Sequence, residues 1–241
     1  MNIIWEISES DIKKVTDFVD EHKNPFVENR INRNVNRNDI QINRDVILKT
    51  MLMCLLTSQQ DSIPDSNIEV FLRKNPFLLT YEFLSKATVI EVVLRSVLKE
   101  NGLTKYFDKI PGCFEYNFSY LEGTNWDLQK KLEISLKHES TKQSERKLAD
   151  SVDKIFKGFG SKQARNFLQV LGVTKFEIPI DSRTMNWLTN FGFPISFSMT
   201  ALQDKLFYHF VSDGIQLLCE KANLYPCVLD AAIVSSNGGK N

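Results

Sequence analysis

Residues 157–187 read KGFGSKQARNFLQVLGVTKFEIPIDSRTMNW. Two glycines, Gly158 and Gly160, stand one residue apart between a basic amphipathic stretch and an apolar one striped by Ala164, Phe167, Leu168 and Leu171. That spacing predicts two helices joined by a tight turn. Glycine permits positive φ and lets another backbone come close, while the start of the following helix presents unpaired N–H groups and the positive end of its dipole. Such a corner suits a phosphate and reads no base. It serves equally as an ordinary helical hairpin, and a bare GxG does not choose between the two.

Outward from this stretch the apolar spacing stays helical. Val46, Leu48, Met51, Leu52, Leu55 and Leu56 share one broad face, and Val89, Ile90, Val93, Leu94, Val97 and Leu98 make another. Further helices are predicted over 67–73, 126–137, 144–156, 162–171, 183–190, 200–222 with a break near Gly214, and 227–234. Asn75-Pro76, Pro111-Gly112, Pro179, Pro194 and Pro226 read as punctuation. Strand-like alternation is nearly absent, so the fold class is all-α, with about ten short helices. The Asn-rich stretch 29–43 reads as a mobile loop, within an Arg- and Asn-rich run 24–44 that holds Arg30, Arg33, Arg37 and Arg44.

The chain has 241 residues, 42% hydrophobic and 25% charged, which is the balance of a folded soluble protein. Basic and acidic residues both number 30, arguing against coating of nucleic acid by bulk charge. Locally the balance shifts: residues 128–165 hold ten Lys or Arg against five Asp or Glu, a run that is either solvated surface or a phosphate track. The four cysteines lie far apart, without zinc or iron-sulfur spacing, so free thiols and no cofactor are expected. Met1 to Trp5 has no basic flank or long apolar run, which points to a cytosolic protein and away from a membrane.

Lys162 follows the hairpin, and Asp181, in IPIDSRTMNWL, follows nineteen residues later. This combination resembles the helix-hairpin-helix DNA glycosylase superfamily, which includes endonuclease III and the 8-oxoguanine DNA glycosylases. In that family a GxGxK turn carries a nucleophilic lysine, and an aliphatic-Pro-aliphatic-Asp stretch carries an essential aspartate. LLTSQQDS at 55–62 is similar to the family segment that pushes a polar side chain into the gap left by an extruded base, a role for Gln59 or Gln60. The family often has His where Arg183 stands, some 8-oxoguanine enzymes have a thiol at the position of Asn166, and the iron-sulfur cysteines of endonuclease III are missing.

The resemblance implies a two-lobed fold with DNA crossing a cleft. One lobe, a helical barrel over 45–172, includes the hairpin; the other is formed by 1–44 with 173–241. It implies a DNA glycosylase and AP lyase acting on duplex DNA with a damaged base, as a monomer, cytoplasmic and nucleoid-associated in a bacterium or archaeon, or nuclear in a eukaryote. The GxGxKxA turn with its nineteen-residue interval is most similar to the 8-oxoguanine branch. Oxidised-pyrimidine excision without an iron-sulfur cluster, a non-catalytic DNA-binding module and a purely structural helical protein are the alternatives.

The chemistry fits these residue types. Breaking an N-glycosidic bond builds positive charge on the sugar, which a nearby carboxylate stabilises, so Asp181 is the expected catalytic carboxylate. Preceding a predicted helix, it reads also as an N-cap, and the roles are compatible. Lys162 would attack the sugar as a neutral amine, which requires a pocket or a base to take its proton. Alone, it reads as a phosphate contact. Gly158, Gly160, Lys157 and Arg183 are expected at the DNA backbone, and the loop carrying Arg33 and Arg37, whose charges the sequence leaves otherwise unexplained, is expected near DNA. Extruding the base costs a few kcal/mol that pocket contacts must offset. Asp230, Trp126 and Asn166 are the candidate pocket residues, with Tyr225 a further stacking candidate, although the aromatics read first as core.

Overall fold

The computed structural model describes residues 4–57, 66–104, 108–195 and 198–237. Among them every regular element is helical and no strand occurs. Helix α1, Glu9–Glu21, escapes the apolar-spacing rule because it is highly charged; a Ser8–Asp11 capping box starts it and only Val15 and Val19 are buried. In α2, Pro25–Arg30, Asn24 accepts the amides of Phe26 and Val27 and Pro25 occupies the first turn. A π-helical turn, Ile31–Val35, follows directly.

The segment read as a mobile loop is therefore ordered, and its side chains explain why. Asn34 is buried and donates to the carbonyls of Gln169 and Thr174, both at 2.8 Å. Arg33 donates to the Val170 carbonyl. Arg37 donates to the carbonyls of Ser135, Leu136 and His138 at 3.1, 3.0 and 2.7 Å, and to the Ser140 hydroxyl at 2.9 Å. These arginines satisfy carbonyls that two helix ends leave open, so a role at DNA is not needed to account for them.

Helices α3 (Arg44–Leu56), α4 (Asn67–Leu72), α5 (Tyr81–Leu84) and α6 (Ile90–Glu100) follow. Helix α7, Ile110–Gly123, runs through Pro111-Gly112 instead of being broken there. Proline is harmless in a first turn, where its missing N–H would have had no partner. Then come α8 (Asp127–Lys137), α9 (Lys142–Ile155), α10 (Ser161–Val170) and α11 (Ser182–Phe191). Helix α12, Lys205–Lys221, continues unbroken through Gly214. There the Trp5 indole lies so close that a Cβ would stand 2.8 Å from it, so the glycine serves packing. Helix α13, Pro226–Ser236, ends the described chain. No described helix is long and apolar enough to cross a membrane.

Buried apolar side chains fall into two clusters. One draws on α3 to α10, from Ile47 to Val173. The second joins Val15, Val19 and Val27 to residues from Ile178 to Ile233. Residues 174–181 pass from the first to the second, and Asp181 lies at the end of that passage.

Candidate functional site

The hairpin joins α9 to α10. Asn117, fully buried on α7, accepts the Lys157 amide at 2.7 Å and donates to the Lys157 carbonyl at 3.0 Å, so one side chain pins the entry to the turn. Nothing local in the sequence marks this partner, forty residues away. Phe156, Phe159 and Phe167 pack edge to face beneath the turn. The two glycines differ in kind. Gly158 has φ +84°, and a Cβ there would lie 2.9 Å from Leu55 and 3.1 Å from the Cys113 sulfur. Gly160 has an extended backbone, and a Cβ there would meet nothing within 4 Å. Gly160 also caps α10 without a side-chain bond, so no cap side chain accepts the first amides of that helix.

Lys162, half-buried in the first turn of α10, is within electrostatic reach of two groups: its charge acts on the Cys54 thiol of α3 and on the Asp181 carboxyl. Asn166, one turn further, donates to the Cys54 sulfur at 3.7 Å, and Gln163 donates to the Cys54 carbonyl at 2.8 Å. Burial pushes the Cys54 thiol far up, so it remains protonated despite the lysine. All four cysteines are free.

Asp181 is the N-cap of α11. Its Oδ1 accepts the amides of Arg183 and Thr184 at 2.9 and 3.1 Å. Its Oδ2 accepts from the Arg183 guanidinium through Nε at 3.0 Å and Nη2 at 2.6 Å. Burial alone would raise its pKa; the Arg183 bonds and charge, the Thr184 amide and the Lys162 charge outweigh burial and hold the carboxyl below its ordinary 3.8. The carboxylate is thus ionised, and both its cap and its charged partner come from its own helix.

Asp230, on α13, is buried and already partnered: its Oδ2 accepts from Arg30 at 3.1 Å and from Gln169 at 2.6 Å. Burial pushes its pKa up, Arg30 opposes that, and the charge of Asp181 adds to it, so the two carboxylates are electrostatic neighbours. Trp126 is not brought to this cluster. It is buried in the first core, edge-on to Tyr81, with Arg44 stacked over it at 5.0 Å. Arg44 opens α3 and Cys54 lies ten residues on, about 15 Å along the helix at 1.5 Å per residue. Tyr225 packs on Phe176, as a core aromatic would. Gln59 and Gln60 lie outside the described residues.

The local surplus of basic residues is partly consumed inside the protein. Arg165 is fully buried and donates to Glu177 at 2.6 Å; Arg146 donates to the same carboxylate at 2.9 Å and pairs with Asp213 at 2.7 Å. Lys131 pairs with Asp127 and Lys142 with Glu220. Lys147, Lys154 and Lys157 remain exposed on and after α9, the last lying over the Tyr116 ring. Among the described residues no group of three His, Cys, Asp or Glu side chains is arranged to hold a metal ion. The chain matches no known protein-family model, and no curated protein is significantly similar to it.

Proposed function

We propose that this protein is a DNA glycosylase with AP-lyase activity that removes an oxidised base, 8-oxoguanine before others, from duplex DNA. The observation that carries the reading is that Lys162 and Asp181, nineteen residues apart and each opening a helix, come within electrostatic reach of one another. A cation and an ionised carboxylate beside an open helix start form a suitable set for glycosidic chemistry on a phosphodiester strand.

In this reading duplex DNA crosses a cleft between two lobes, one around each hydrophobic core. The amides after Gly160, with Lys157, hold the strand backbone. The Lys162 amine, once neutral, attacks C1′ of the extruded nucleotide. A carbon–nitrogen bond forms as the glycosidic bond breaks, and its electron pair leaves with the base, which takes up a proton. Asp181 stabilises the positive charge that develops on the sugar. The aminal opens to a Schiff base, and loss of a C2′ proton then expels the 3′ phosphate by β-elimination.

A second reading, a DNA-binding hairpin protein without catalysis, is favoured by one feature: Arg183 already occupies Asp181. Borohydride trapping on duplexes carrying single lesions separates the two. The enzyme is expected to form a covalent adduct that Lys162→Ala abolishes. Salt-sensitive DNA binding with neither adduct nor base release would establish the module instead.

A further inference from the structure

The passage from Thr174 to Asp181 has no regular secondary structure, yet it is among the most buried stretches of the chain. Irregular buried backbone needs partners for its N–H and C=O groups. Side chains supply them from two sides. The Glu145 carboxylate, on α9, accepts three consecutive amides: Lys175 at 3.0 Å, Phe176 at 2.7 Å and Glu177 at 3.0 Å. The Ser140 hydroxyl donates to the same carboxylate at 2.8 Å. At the other end the Tyr208 hydroxyl, on α12, donates to the Ile178 carbonyl at 3.0 Å and accepts the Ile180 amide at 2.8 Å. One oxygen atom thereby spans Pro179 and fixes the residue immediately before Asp181. Between the clamps Glu177 is tied to Arg165, Arg146 and Gln216.

Resting on the glycosylase reading, we propose that Tyr208 and Glu145 are positioning residues that set the Asp181 carboxylate relative to Lys162. Asp181 is fixed to α11 by its own cap, but α11 belongs with the second core and α10 with the first. The strap that joins the helices therefore contributes to the distance between the two groups. The Arg165 guanidinium stands 4.5 Å from the Tyr208 ring and ties α10 to the same phenol from the other side. A strap free to move by an ångström would leave both groups present and misaligned, a displacement that reduces catalysis on the order of 100-fold.

The test uses the full chain and duplexes bearing 8-oxoguanine or an abasic site. Single-turnover base release at saturating enzyme is measured for wild type, Tyr208→Phe and Glu145→Gln, normalised to active sites titrated by borohydride trapping on the abasic duplex. Tyr120→Phe, which removes a hydroxyl from a half-buried residue on α7, is the control. Each clamp variant is expected to release base about 100-fold more slowly, with duplex affinity within twofold of wild type and the control unchanged. A lowered melting temperature with normal release per active site in both clamp variants would overturn the positioning role while leaving the enzyme reading intact. Should Tyr208→Phe not fold, Glu145→Gln alone decides. A wild type that neither traps nor releases base would overturn both.

Discussion

Replacing each hairpin glycine by alanine separates what the fold needs from what a ligand needs. At Gly158 a Cβ meets two obstacles. The backbone, at φ +84°, is left-handed, costing an L-residue about 1–2 kcal/mol. The added methyl lies 2.9 Å from Leu55 and 3.1 Å from Cys113, overpacking that costs about 1–3 kcal/mol. Together Gly158→Ala loses about 2–5 kcal/mol, and at roughly 2–4 °C per kcal/mol for a chain of this size the melting temperature falls on the order of 10 °C. At Gly160 neither obstacle exists. Reduced unfolded-state entropy favours alanine by about 0.4–1 kcal/mol, and the poorer N-cap costs about as much, so its melting temperature stays within about 3 °C. The methyl does take up open space at the start of α10, where the proposed strand backbone would approach. Losing one amide–phosphate bond, about 1.5–3 kcal/mol, weakens duplex binding roughly tenfold to a hundredfold. Thermal melts and fluorescence anisotropy at fixed salt check both halves. If Gly160→Ala binds duplex as wild type does, the hairpin does not seat a strand backbone.

Two further outcomes follow from the same geometry. Arg37→Ala removes three carbonyl partners at the end of α8 and is expected to lose about 2–3 kcal/mol in urea denaturation; the slope of log affinity against log salt for duplex binding stays unchanged, and a flatter slope would return Arg37 to the DNA surface. Asp181, whose folded pKa lies below 3.8, contributes stability that is fully present above that pH and is lost as pH falls through the folded value. The stability gap between wild type and Asp181→Asn should therefore be constant from pH 7 to 5 and narrow below about 4; a gap that widens on acidification would contradict the Arg183 pairing.

Helical periodicity, the glycine pair and the Lys162–Asp181 interval are short-range patterns, and they sufficed for the all-α class, for α3 and α6 and for the hairpin between α9 and α10. Local rules misled where a residue has two uses. Pro111-Gly112 looks like a turn and lies in the first turn of α7; Gly214 looks like a break and receives Trp5. The stretch 29–43 looked unstructured because its partners, the carbonyls near residues 135–138 and 169–174, are more than ninety residues away.

The sequence by itself determined which residues can do chemistry, because residue type and spacing along one helix or turn set what a side chain offers. Tertiary structure decided which of them meet. It brought Lys162 within electrostatic reach of Asp181 and Cys54, gave Asp181 to Arg183, kept Trp126 in the first core, and made Gly158 a packing requirement while Gly160 stayed open. The strap clamped by Glu145 and Tyr208 is the clearest instance: its partners come from helices on either side of it in the chain, and only the folded arrangement of the two cores brings three amides to one carboxylate and two backbone groups to one phenol.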